Sequence, residues 1–92
     1  MVKSTAKVKL QWESVKTNGL VVHKACLNLA KFWESPIRYF LIPLNSGEWT
    51  AVRSTYCVES EELDRDGIGF FNNLEQAKNA CELDMNNYMR GN

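Results

Sequence analysis

The chain has 92 residues, 45% of them hydrophobic and 24% charged, with acidic and basic side chains in equal number. A chain of this length buries only about 60–65% of its unfolded surface, which excludes two independent cores and sets the expectation of a single domain over residues 1–92. The same composition excludes wholesale disorder, and no apolar run reaches the roughly 18 residues that a membrane span needs.

Residues 1–6 read as a loose tail, and the opening MVKSTAK leads into no apolar signal core, so the expected location is the cytoplasm. Lys7–Glu13 alternates, with Val8, Leu10 and Trp12 on one face and Lys7, Lys9 and Gln11 on the other, which is the period of a half-buried strand. Thr17-Asn18-Gly19 marks a turn. Leu20–Glu34 then carries two patterns. Val22, Ala25, Cys26, Leu29 and Trp33 recur at helical spacing, and Pro36 stops a helix just beyond. Against this, Asn-Gly before Leu-Val-Val is a hairpin signal. A short strand at Leu20–His23 followed by a helix from about Ala25 to Trp33 serves both.

The centre of the chain is Ile37–Val58. Two runs rich in aromatic and β-branched residues flank Asn45-Ser46-Gly47, the composition of a β-hairpin. In the second run Trp49, Ala51, Arg53, Thr55 and Cys57 alternate with Thr50, Val52, Ser54, Tyr56 and Val58, so apolar groups fall on both faces. One face is expected to pack on a helix and the other to be partly wet. Pro43 cannot donate to a ladder and belongs near a strand end.

Glu59–Asp66 (ESEELDRD) reads as an exposed acidic connector, and Gly67–Phe71 as a short strand whose Ile68 and Phe70 share a face. Asn72 or Asn73 caps a final helix, with Glu75 and Gln76 three residues beyond them. Leu74, Ala77, Cys81, Met85 and Tyr88 form its apolar stripe, and Gly91 closes it. The expected architecture is α+β: an antiparallel sheet of about four or five strands packed against a C-terminal helix, with room for a second short helix in the first half.

Little in the chain points to catalysis. His23 is the lone histidine and sits in no nucleophile motif, so it reads as a surface residue. Cys26, Cys57 and Cys81 lie far apart with no CxxC pair and read as reduced, mostly buried thiols. DRDGIGFF lacks the ligand pattern of a calcium loop, and Gly67-Ile-Gly69 leads into Phe-Phe where a dinucleotide loop would open a helix. No catalytic residue, metal site, cofactor or small-molecule substrate is expected.

Charge is unevenly spread. Up to Thr55 eight Lys/Arg face three Glu, a net of +5, and from Tyr56 onward three Lys/Arg face eight acids, a net of −5. Such a chain suits a partner of mixed charge, such as a protein–RNA particle, or else two solvated faces that attract each other. The basic half interleaves Lys24, Lys31, Arg38 and Arg53 with Trp33, Tyr39 and Trp49, the mixture that contacts phosphates and stacks on unpaired bases. Glu59, Glu61, Glu62, Asp64 and Asp66 are the candidate contacts for a basic partner surface.

Three resemblances follow. With Leu20–Glu34 as a helix, the order helix, three strands, helix resembles a double-stranded RNA-binding domain, although the basic cluster at the start of that family's last helix is replaced here by Asn72-Asn73-Leu74-Glu75-Gln76. The run Phe71-Asn72-Asn73-Leu74-Glu75-Gln76-Ala77 is similar to the strand–helix junction of HicB-type antitoxins. The whole chain, with its basic first half around LVVHKACLNLAKFWESPIRYFLIPL, looks like the small phage anti-CRISPR proteins that act on the type I-F surveillance complex, a group with no shared motif. That last resemblance implies stoichiometric binding to a crRNA-guided complex in an infected bacterial host, through its protein subunits and its guide RNA, and a block of target DNA binding or pairing.

Overall fold

A computed structural model describes residues 9–27, 33, 35–57 and 59–89 of the chain. Five strands, β1 (Leu10–Thr17), β2 (Leu20–Leu27), β3 (Ile37–Pro43), β4 (Trp49–Cys57) and β5 (Glu62–Phe71), precede one helix, α1 (Leu74–Met89). The strands lie in sequence order in one antiparallel sheet. The architecture is α+β, as the sequence pattern requires.

The turns set the register. Asn18 and Gly19 adopt positive φ of 52° and 82°, the two-residue hairpin turn whose twist matches its strands, and they pair Thr17 with Leu20 and Leu10 with Leu27. Strand β2 therefore continues through Ala25, Cys26 and Leu27, and the helix expected from about Ala25 does not begin there. A strand partner along all eight residues of β1 outweighs the helical spacing of a few apolar side chains. The rest of that expected helix falls outside the described residues, apart from Trp33. Among the described residues the order is five strands and then a helix, unlike the double-stranded RNA-binding domain.

The central hairpin forms as expected. Leu44 N donates to Glu48 O at 2.8 Å and Gly47 N to Leu44 O at 3.0 Å, closing the turn that pairs Pro43 with Trp49 and Ile37 with Thr55. Pro43 ends its strand, where its missing N–H costs least.

The acidic segment is not a loop. Only Glu59–Glu61 turns, and β5 begins at Glu62, pairing with Cys57 and running to Phe71. An edge strand needs a backbone partner on one side alone and tolerates charged side chains on both faces, so acidity does not prevent the ladder. A register shift at Ala51/Val52 leaves Ile68 as the extra residue of a bulge. In consequence Ile68 packs on the core, whereas Phe70, opposite Thr50, points to the other face and is 69% exposed. The two do not share a face.

Asn73 caps α1, its Oδ1 accepting from Gln76 N at 2.8 Å. The helix lies over β3, β4 and β5 and buries Ala77, Cys81 and Met85 against Tyr39, Leu41 and Ala51, all 0% exposed. Full burial of a side chain as large as Leu41 or Met85 contributes about 1.5–3 kcal/mol. Tyr88, the last member of the expected stripe, remains 43% exposed. Gly91 is outside the described residues.

Candidate partner-binding surface

Alternation and register assign every strand side chain to one of two faces. The helix-side face carries Leu10, Trp12, Ala25, Ile37, Tyr39, Leu41, Trp49, Ala51 and Phe71. No described helix packs on the opposite, open face, although Cys26 and Ser54 on it are buried. It presents Arg38, Ser54 and Arg65 in one cross-strand row, Lys24, Phe40, Val52 and Gly67 in the next, and Ile42, Thr50 and Phe70 in a third.

This layout redistributes the charge. The open face holds Lys24, Arg38 and Arg65 against Glu13, a net of +2 among the described strand residues. The helix-side layer holds Glu62, Asp64 and Asp66 on β5 and Glu75, Glu82 and Asp84 on α1 against Lys16, Arg53 and Lys78, a net of −3. The split between chain halves becomes a split between layers, because the meander places basic and acidic side chains of neighbouring strands out of phase.

The expected basic set is thereby divided. Lys24 and Arg38 share the open face; Lys31 lies outside the described residues. Arg53 is on the helix side, within a polar network. Its Nη1 donates to Asp84 Oδ2 at 2.8 Å and Oδ1 at 3.1 Å, and its Nη2 to Asp66 Oδ2 at 3.1 Å. The guanidinium also lies over the Tyr88 ring at 5.6 Å. Burial works against the Arg53 charge, but the hydrogen bonds to Asp66 and Asp84 outweigh it and its pKa is raised. The Tyr39 hydroxyl donates to Asp84 at 2.6 Å, and burial together with that carboxylate pushes its pKa far up.

The acidic set is exposed throughout, with Glu59 and Glu61 in the β4–β5 turn and Glu62, Asp64 and Asp66 along the outer strand. Asp66 already pairs with Arg53 at 3.1 Å and keeps a side chain 57% exposed. The attraction between the chain's two halves is therefore partly internal.

Of the expected stacking residues, Tyr39 is fully buried and Trp49 packs on the core, while Trp33 is 69% exposed. Sequence reasoning missed Arg65, Phe40, Phe70 and Gly67 on the open face. The signal was the period-2 phase of β5, hidden by the bulge and by reading its first half as loop.

His23 is half-buried and not a plain surface residue. Its Nδ1 lies 3.2 Å from Ser14 Oγ, and its ring tilts against Trp49 with centroids 5.4 Å apart. Burial, followed by the nearby Lys78 charge, lowers its pKa. Cys26 and Cys81 are buried and Cys57 is exposed, all as free thiols. Among the described residues no group of three His, Cys, Asp or Glu side chains could hold a metal ion, and no helix is long and apolar enough to cross a membrane. No protein-family model, curated protein or solved structure matches the chain.

Proposed function

We propose that the chain is a stoichiometric inhibitor that binds a crRNA-guided surveillance complex of the type I-F kind inside an infected bacterium and blocks access or pairing of target DNA. The observation that carries this reading is the opposite charge of the two layers of one small sheet, basic on the open face and acidic along β5 and α1. A guided complex offers both complements: a positively charged channel for the heteroduplex, and the guide strand itself. Complementary fields of this sort steer encounter and fix orientation.

Size is consistent with such a role. Five strands about 4.8 Å apart, each roughly eight residues of about 3.3 Å, give a face on the order of 600 Å². That approaches the roughly 800 Å² that one partner contributes to a standard interface.

The test is size-exclusion chromatography of the protein with a type I-F surveillance complex, followed by a gel shift with matched target DNA. Co-elution with loss of the DNA shift is the expected result. Co-elution with the shift intact moves the action downstream of DNA binding, and separate elution overturns the reading. A second reading, an antitoxin of the HicB kind, draws on the junction in which β5 leads through the Asn73 cap into α1. It predicts co-elution with a toxin and a homodimer that shifts promoter DNA.

A further inference from the structure

We infer that the outer edge of β1 is a self-pairing surface: two copies of the chain join antiparallel, β1 to β1, into one continuous sheet about a two-fold axis between their Ser14 residues. The inference rests on the edge itself and on neither functional reading above.

The β1–β2 turn fixes which backbone groups face outward. A two-residue turn with positive φ at Asn18 and Gly19 closes on a hydrogen-bonded pair, Thr17 with Leu20. Hydrogen-bonded and non-bonded pairs then alternate along an antiparallel ladder. Val15, Glu13 and Gln11 therefore bond to β2, whereas Lys16, Ser14, Trp12 and Leu10 direct N–H and C=O away from it. Leu10 agrees with this phase, since its N donates to Glu82 Oε2 of α1 at 3.3 Å. Trp12, Ser14 and Lys16 have no such cover. Among the described residues β1 ends the sheet, and neither a strand nor a side chain bonds to their outward groups.

The strand also lacks the devices that protect an edge. It contains no proline, glycine or bulge, it pairs with β2 in unbroken register along all eight residues, and its charges, Glu13 and Lys16, cancel. The other edge is defended. On β5, Glu62, Asp64 and Asp66 share a face and a bulge interrupts the strand at Ile68, so pairing with its own copy would set carboxylates against one another.

The register follows from the same groups. In a continuous sheet with both helices on one side, residues of like face oppose each other, and outward groups must meet outward groups. Centring the pairing on Glu13 opposes two carboxylates and uses Leu10, already bonded to Glu82. Centring it on Val15 leaves only Ser14 and Lys16 to pair within the strands. Centring it on Ser14 pairs Trp12 with Lys16 of the second copy, Ser14 with Ser14, and Lys16 with Trp12, with two backbone bonds in each pair. It also sets Glu13 beside Val15 of the second copy, so no like charges are directly opposed.

The contact is an edge, smaller than the roughly 800 Å² that one partner gives to a standard interface, so association is weak and is read by sedimentation velocity over about 10–500 μM. A concentration-dependent shift toward twice the monomer mass is expected. Ser14→Pro removes the central outward N–H and the Oγ contact with His23 but no ladder bond; it is expected to stay monomeric throughout with its circular dichroism retained. Val15→Glu, opposed to Glu13 of the second copy, is expected to weaken association about 2- to 30-fold, and Val15→Lys to strengthen it by a similar factor, each pair occurring twice in the dimer. Both variants lose the same valine, so the opposite signs report the register and not the fold. Amide hydrogen exchange at Trp12, Ser14 and Lys16 is expected to slow as concentration rises. A monomer across the whole series, a dimer indifferent to Ser14→Pro, or Val15 variants that shift in the same direction overturns the inference. So does protection of these amides only on addition of the surveillance complex, which would give the edge to a foreign strand.

Discussion

The Tyr39 hydroxyl donates a 2.6 Å hydrogen bond to Asp84 across the sheet–helix interface, joining residues 45 apart in the chain. Asp84 also receives both contacts from Arg53 Nη1, so one carboxylate pins the last turns of α1 to β3 and β4. Removing a partner of such a group leaves the others under-satisfied in a part-buried place. Tyr39→Phe is expected to cost about 1 kcal/mol and Asp84→Ala about 2–3 kcal/mol by urea denaturation. A double-mutant cycle between Arg53 and Asp84 that finds no coupling would show that the network is incidental.

Arg53→Glu separates internal from external electrostatics. It sets a carboxylate against Asp66 and Asp84, which now hold the guanidinium at 3.1 and 2.8 Å, and should lower stability by about 2–4 kcal/mol. Reversal of Glu59, Glu61 and Glu62, exposed at the turn and strand start, should leave the melt within about 0.5 kcal/mol of wild type. Equal melts for the two variants would contradict the placement of Arg53.

Alkaline pH should unfold the protein earlier than composition suggests. Tyr39 is raised by burial and by Asp84, and Cys81 is raised to about 12, chiefly by burial. Both favour their neutral forms in the fold, so their contribution is complete below the unfolded values near 9 for the thiol and 10 for the phenol and is lost as pH rises above them. Stability is expected to fall above about pH 9, by up to about 1.4 kcal/mol per pH unit for each group. Cys81→Ala should flatten the onset of that fall in a pH series of denaturation curves.

On the acid side the sign is opposite for His23. Its pKa is lowered, so the fold prefers the neutral ring, and the associated stability is present above the ordinary 6.5 and lost as pH drops through the lowered value. An NMR titration should place the His23 midpoint below 6.5, and Lys78→Gln should raise it.

Met85 is fully buried at the helix–sheet contact. Met85→Ala should cost about 2–4 kcal/mol through lost burial and the cavity left behind, whereas Asn73→Ala, which removes the helix cap, should cost about 1 kcal/mol. Thermal melts of the two variants give the ranking directly.

Local chemistry determined much of this protein. Asn18-Gly19 and Asn45-Ser46-Gly47 dictate two hairpins, the alternation of Leu10 with Trp12 dictates a half-buried strand, and Asn73 before the Leu74–Met85 stripe dictates a capped amphipathic helix, because each rests on dihedral preference or on period within a few residues. Tertiary pairing decided the rest. Strand β2 overrode helical spacing at Ala25–Leu27 because β1 supplied a partner to each of these residues and β3 a second one to Ala25, and Glu62–Asp66 became strand because β4 supplied one. The bulge at Ile68 then turned Phe70 outward. Which charges share a face depends on register and on that single extra residue, a long-range property that no local pattern carries; it set Arg53 inside the structure with Asp84 and left Arg38 and Arg65 together on the open face.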